Sequence, residues 1–175
     1  MSTTYLKITH ERIPILIGKN GETRKRLENI TLAKIIIDSE TGDVTIDQKE
    51  ANPLTFYKLE TVIKAIGRGF SPDHAIYLLD DGYELLLMDI SDYAKSEKAR
   101  GTKRSRIIGT DGTVRKYIED VTDCFISVQG KTVGIIGIEP KLSVAIQAVQ
   151  RILEGAEIMS VKTFLKKALI KGTLM

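Results

Sequence analysis

One stretch of this chain occurs twice. Ile17-Gly18-Lys19-Asn20-Gly21 is followed by Thr23-Arg24-Lys25 and Leu27-Glu28-Asn29-Ile30-Thr31. It returns 91 positions later as Ile108-Gly109-Thr110-Asp111-Gly112, with Val114-Arg115-Lys116 and Ile118-Glu119-Asp120-Val121-Thr122 behind it. Both glycines, the Arg-Lys pair, the Glu and the Thr fall on themselves. Leu27/Ile118 and Ile30/Val121 keep their apolar character. A shared pattern this long marks two copies of one structural unit. The 175 residues therefore divide into two units of about 80 residues, each near the lower end for independent folding.

The two copies read in the same order. In the first, Thr4–Thr9 is expected as a strand and Arg12–Ile17 as a short helix, with Pro14 tolerated in its first turn. After the Gly-x-x-Gly a helix runs from Glu22 to about Thr31, its inner face formed by Leu27 and Ile30. Lys34–Asp38 and Val44–Asp47 form a hairpin around the Gly42 turn. Asn52-Pro53 caps and opens a helix in which Leu59, Val62, Ile63 and Ile66 recur at helical spacing, before Gly67 and Gly69 end it. In the second, a strand at Tyr83–Ile90 leads to a helix over Ser96–Ile108. A helix at Thr113–Val121, a hairpin of Cys124–Val128 with Val133–Ile136, and a helix opened by Pro140 follow. Phe70–Gly82 is too apolar for a free linker and is expected to pack between the units and fix their orientation. Ser160–Met175 reads as a basic amphipathic helix docked on the second unit.

The net charge of +3 is mild, and its distribution says more. Lys98, Arg100, Lys103, Arg104 and Arg106 lead into the second Gly-x-x-Gly with no acid between them. The single cysteine, Cys124, cannot form an internal disulfide, which points to a reducing compartment and a small core residue. No signal-peptide core and no run of membrane-spanning length is visible, so a cytoplasmic protein is expected.

The order strand, helix, Gly-x-x-Gly, helix, strand, strand, helix, twice over, resembles the KH domain. The fold expected is α+β: two tandem type I (eukaryotic-type, βααββα) KH domains, each a three-stranded sheet with helices on one face. Domain 1 would span 1–69, a packed inter-domain segment 70–82, domain 2 83–157 and a C-terminal basic helix 158–175. KH loops clamp about four backbone nucleotides of a single strand. A phosphodiester must come close to backbone N–H groups, where a Cβ would block it, and the loop leads into a helix N-terminus that favours an anion. The resemblance therefore implies RNA contact by Ile17, Gly18, Lys19, Asn20, Gly21, Arg24 and Lys25 in the first copy. In the second it implies Ile108, Gly109, Thr110, Asp111, Gly112, Arg115 and Lys116, with Lys98, Arg100, Lys103, Arg104 and Arg106 expected to bind the RNA on the approach, the last three through phosphates. Ile17, Ile36, Ile108 and Ile126 are candidates to line an apolar groove for bases, although plain core is the commoner role for any one of them. Thr110-Asp111 departs from the pattern, because a carboxylate beside a phosphate is repulsive.

Further features span residues 13 to about 155: Gly69-Phe70-Ser71-Pro72, Asp89-Ile90, Arg106-Ile107-Ile108-Gly109 and Gly130-Lys131-Thr132-Val133. Through them the chain resembles the archaeal form of the tandem-KH small-subunit ribosome-assembly factors. Their eukaryotic counterparts partner the PIN-domain endonuclease that trims the 3′ end of small-subunit rRNA. That resemblance implies single-stranded RNA, near the 3′ end of maturing rRNA, as ligand. It implies a PIN-domain endonuclease or another assembly or initiation factor as partner.

Catalysis is not expected. His10 and His74 have no partner at metal-ligand spacing. Asp80-Asp81, Asp89 and Asp92 read as scattered turn carboxylates. The glycine loops lack the Gly-Lys-Ser/Thr ending of a nucleotide site, so no cofactor and no metal are expected. Two function classes stand: an RNA-binding module, favoured by Lys19 and the Lys98–Arg106 run, and a protein-interaction adaptor, favoured by Thr110-Asp111 and the apolar joining segment.

Overall fold

The computed structural model describes residues 2–172. Residue 1 and residues 173–175, the ends of the expected first domain and of the expected C-terminal helix, lie outside the described residues. The chain forms two compact units, Met1–Asp81 and Gly82–Met175, and both have the α+β, βααββα architecture.

In the first unit β1 (Thr3–Lys7) leads to α1 (Ile13–Ile17), the loop, α2 (Glu22–Thr31), β2 (Lys34–Ile37), β3 (Asp43–Asp47) and α3 (Pro53–Gly67). The antiparallel sheet has the order β1-β3-β2. The Asn52 side chain accepts the Thr55 N–H at 2.8 Å, the cap its position called for. Leu59, Val62, Ile63 and Ile66 are fully buried, as are Ile35, Val44 and Ile46 of the sheet. The segment after α3 forms a short helix, α4 (Pro72–Ala75), with the Ser71 hydroxyl accepting the His74 N–H. It packs against α3, burying Phe70, Ala75 and Leu78, and Lys58 on α3 reaches the Leu79 carbonyl and Asp81.

The second unit comprises β4 (Tyr83–Asp89), α5 (Glu97–Ile108), the loop, α6 (Thr113–Thr122), β5 (Phe125–Gln129), β6 (Thr132–Ile138) and α7 (Lys141–Leu153). A further helix, α8 (Ile158–Ile170), follows. Its sheet order, β4-β6-β5, repeats the first. Helix α8 docks on its own unit: Val161, Leu165 and Ala168 join the core cluster, and each large apolar side chain so buried is worth roughly 1.5–3 kcal/mol. Arg151 lies 4.3 Å over the Phe164 ring and Lys162 4.9 Å over Tyr117. Leu169 on the same helix is 39% exposed. Cys124 is buried beside Gly137, and burial pushes its thiol pKa up.

Two expectations are corrected by register. On α2 the buried stripe runs from Leu27 to Thr31, an i,i+4 pair, and Ile30 is 51% exposed. Buried Thr31 satisfies its hydroxyl on the Leu27 carbonyl at 2.7 Å, as Thr122 does on Ile118 in α6. Along β2 side chains alternate, so with Ile35 in the core Ile36 lies on the opposite face, 48% exposed. The 91-residue shift pairs Ile126 with Ile35, and Ile126 is core.

Candidate nucleic-acid interface

The two loops have the same backbone. Gly18 and Gly109 sit at φ 75° and 73°, Asn20 and Asp111 at 53° and 54°, and Gly21 and Gly112 at 77° and 75°. Their glycines are needed for different reasons. A Cβ on Gly18 would lie 2.3 Å from Thr23 Oγ1, and one on Gly109 2.5 Å from Val114 Cγ2. The first glycine therefore lets the next helix pack close, and its missing side chain does not face a ligand. A Cβ on Gly21 would meet only Lys25 Cε at 3.8 Å, and on Gly112 only the Arg115 and Lys116 side chains at 3.8 Å. That second position has room for a Cβ in ordinary contact, at the N-cap of α2 or α6, with Gly21 half-buried and Gly112 buried. There the first-turn N–H groups and the positive end of the helix dipole favour an anion. Asn20 and Asp111 occupy a left-handed position that Asn and Asp tolerate better than other side chains. The second loop's carboxylate thus fills a backbone requirement that Asn20 meets without charge.

Around the loops, Lys19, Asn20, Lys25, Thr110, Asp111 and Lys116 are exposed, and Arg24, Arg115 and Ile17 are half-buried. Ile108 is 36% exposed. Beside the first loop an open cavity of about 390 Å³ is lined by His10, Ile13, Pro14, Ile17, Gly18 and Ser39. His10 and Ser39 are polar groups on this groove that sequence reasoning passed over. Their only signal was position, one turn before α1 and just after β2.

The helix after each loop is tied to the open edge of its sheet. Glu28 accepts the Ile35 N–H at 2.8 Å and Glu119 the Ile126 N–H at 2.7 Å. β2 and β5 are edge strands, so each glutamate satisfies an edge donor that no strand pairs. Arg115 donates to the Ile126 carbonyl at 3.4 Å. Its counterpart Arg24 keeps Nε buried with no hydrogen-bond partner.

The structure gives most of the basic run internal partners. Lys103 donates to the Leu153 carbonyl, and Arg106 to the carbonyls of Ile152 and Ala156. These lie at the C-terminal end of α7, where cations satisfy orphan carbonyls and oppose the dipole. Arg104 bonds Glu97 and the Gly130 carbonyl. Arg100 bonds Glu97 and the Lys95 carbonyl. Those two arginines hold the Glu97 carboxyl below its ordinary pKa, Arg104 contributing most. Lys98 is exposed. In the first unit Arg12, the residue 91 positions before Lys103, donates to the carbonyls of Ile66 and Phe70 at the end of α3.

Among the described residues no group of three or more His, Cys, Asp or Glu is placed to hold a metal ion. Asp89 accepts the Ser91 N–H at 2.8 Å, and that bond first of all lowers its pKa. No described helix is long and apolar enough to cross a membrane.

Comparison with known proteins agrees with this geometry. Residues 84–169 match the eukaryotic type KH-domain (KH-domain type I) family, and residues 3–52 match the KH domain family. A KH domain-containing protein of Methanocaldococcus jannaschii is 39% identical over 168 residues, covering 95% of this chain and 74% of that protein. The crystal structure of Dim2p from Pyrococcus horikoshii OT3 superposes with a TM-score of 0.90 at 39% identity, over 95% of this chain and 99% of that one. The a/eIF2alpha–aDim2p–rRNA complex from the same organism matches with a TM-score of 0.91 at 40% identity, over 97% of this chain and 95% of that one. With two Gly-x-x-Gly units on the type I topology, and relatives of this identity along almost its whole length, the chain belongs to the tandem KH-domain proteins of the Dim2p family.

Proposed function

We propose that this protein is a cytoplasmic, non-catalytic RNA-binding factor of ribosome biogenesis. It holds single-stranded RNA near the 3′ end of maturing small-subunit rRNA through its two Gly-x-x-Gly loops. The observation that carries the reading is the shared loop geometry: in both copies a positive-φ glycine caps the next helix beside Lys25 or Lys116, with Lys19-Asn20 or Thr110-Asp111 exposed next to it. The similar Pyrococcus horikoshii protein, captured with rRNA and a/eIF2alpha, supports both an RNA ligand and a translation-factor partner. Ile17, Gly18, Lys19, Asn20, Gly21, Arg24 and Lys25 form the first contact set. Ile108 to Gly112 with Arg115 and Lys116 form the second, and Lys98 adds an exposed cation on the approach. Lys103, Arg104 and Arg106 act mainly within the fold.

Crosslinking the full chain to precursor small-subunit rRNA tests this. The expected result is crosslinks concentrated in single-stranded sequence at the 3′ end, from peptides containing residues 17–25 and 108–116. Crosslinks confined to duplex regions would contradict it. An adaptor role, recruiting a nuclease or an assembly or translation factor, is the second reading. It is favoured by the internal engagement of Arg100, Lys103, Arg104 and Arg106, which leaves the approach to the second loop with less free positive charge. Crosslinks from the first loop alone would give the second unit to that role.

A further inference from the structure

We propose that α8 lengthens the RNA footprint of the second unit: a single strand leaving the second Gly-x-x-Gly loop crosses α6 and is held through its phosphates by Lys162 and Lys166. The inference rests on the RNA-binding reading and goes beyond it, because α8 lies outside the βααββα repeat. At this place the first unit has only the short α4, which carries no lysine.

Most cations of the α5 run act inside the fold, on backbone carbonyls and on Glu97. The acids of this unit that form ion pairs take Arg100, Arg104, Lys131 and Lys141. Among the described residues, no acid pairs with Lys162, Lys166, Lys167 or Lys171. Lys166, Lys167 and Lys171 are exposed and Lys162 is half-buried. A large part of the positive charge that this unit leaves open to a polyanion therefore lies on α8.

Two ring contacts sort these lysines by flank. The Lys162 ammonium lies 4.9 Å over the Tyr117 ring of α6, while the Phe164 ring lies under Arg151 of α7. Lys166, one turn beyond Lys162, shares the α6 flank. Lys167 and Lys171 follow Phe164 at helical spacing and share the α7 flank. Only the first flank borders the helix that starts at the second loop. On α6, Arg115 and Glu119 face the β5 edge and Tyr117 faces α8. Exposed Thr113 and Lys116 lie on the outer surface between those two sides. The loop clamps about four nucleotides. A strand that runs on over Thr113 and Lys116 arrives at Lys162 and then at Lys166. The contact with Tyr117 holds the Lys162 ammonium in place and leaves its charge available. Exposed Asp120, one turn past Lys116, repels a strand crossing further along α6 and confines the crossing to the first two turns. Contacts of this kind go to phosphates and are blind to sequence.

The experiment measures binding of the full chain to two single-stranded RNAs across a salt series, with every variant folded. One RNA has about four nucleotides, the length one loop clamps, and the other is about twice as long. Lys162→Gln with Lys166→Gln should flatten the plot of log affinity against log salt by about 1.4 for the longer RNA, two contacts at about 0.7 each, and leave the shorter one unchanged. Lys167→Gln with Lys171→Gln removes the same charge from the other flank and should leave both plots as in wild type. Equal flattening by the two pairs would make the effect one of net charge. No flattening by the first pair would leave this flank to solvent or to a protein partner, and a lower melting temperature with an unchanged slope would make Lys162 a packing residue. A loss on the shorter RNA as large as on the longer one would place the two lysines at the loop itself. Each of these results overturns the proposal. Failure of wild type to bind either RNA would sink the RNA-binding reading beneath it, and the proposal with it.

Discussion

The Arg12 guanidinium donates to the Phe70 backbone carbonyl at 2.7 Å, 58 residues along the chain, and to Ile66 at 2.8 Å. It closes the C-terminal end of α3 and fixes where the chain turns toward α4. Burial draws the Arg12 pKa below its ordinary value, so the bonds must offset desolvation of a charge. Arg12→Met keeps the aliphatic stem and removes both bonds. It should cost about 2 kcal/mol in urea denaturation, with the loss confined to the transition of the first unit.

Lys103 does in the second unit what Arg12 does in the first, with Arg106 beside it. Lys103→Met with Arg106→Met should therefore lower stability by about 2–3 kcal/mol. The slope of log affinity against log salt should stay as in wild type. A slope flatter by about 1.4, two contacts at about 0.7 each, with unchanged stability, would return these cations to the RNA.

The backbone of the second loop explains its acid and gives a way to remove it. Asp111 stands at φ 54°, where Asn is equally at home. Asp111→Asn should tighten single-stranded RNA about twofold to fivefold, the scale of one exposed charge interaction, with no change in melting temperature. Asp111→Lys should tighten it further while melting about 4–8 °C lower, because a long side chain is strained there by about 1 kcal/mol. Unaltered affinity in both would mean that the loop tip does not face RNA.

Glu97 supplies a pH dependence with a definite sign. Its pKa is lowered from 4.5, first by the hydrogen bond from Arg104 and then by that from Arg100. The folded state thus binds fewer protons than the unfolded state between the two values. The contribution is complete above pH 4.5 and is lost as pH falls through the lowered folded value. Glu97→Gln should melt below wild type at pH 7, and the gap should close in acid. A gap that persists at pH 2 would show that the bonds survive without the charge.

The repeat made the topology legible, because Leu59 to Ile66 and the Asn52 cap are local patterns that tertiary packing had no reason to override. Ile30 was misplaced because a short helix offers two nearly equivalent apolar stripes, and a buried Thr31 bonded to its own helix looks polar on paper. Ile36 and Ile126 were grouped by residue type, whereas the repeat itself aligns Ile126 with Ile35. The role of Arg12 was hidden for a different reason. Its acceptors are backbone carbonyls more than fifty residues away, and carbonyls carry no sequence signature. The carbonyls that engage Arg100, Lys103, Arg104 and Arg106 are equally unmarked in the sequence, while Lys98 is exposed.

The most direct test of RNA binding through the loops uses their second glycines. Gly21 and Gly112 are left-handed helix N-caps where a Cβ would meet only side-chain atoms at 3.8 Å, and Asp tolerates positive φ better than most side chains. Gly21→Asp with Gly112→Asp should therefore keep the fold, at a melting temperature lowered by backbone strain at φ 77° and 75°, while setting a carboxylate against each phosphate. Affinity for a single-stranded RNA, measured at one salt concentration beside its duplex, is the quantity to compare. Wild type is expected to prefer the single strand, and the double variant to lose at least tenfold of that affinity while still folded. Equal binding of both RNAs by wild type, or full single-strand affinity in the folded double variant, would contradict the account.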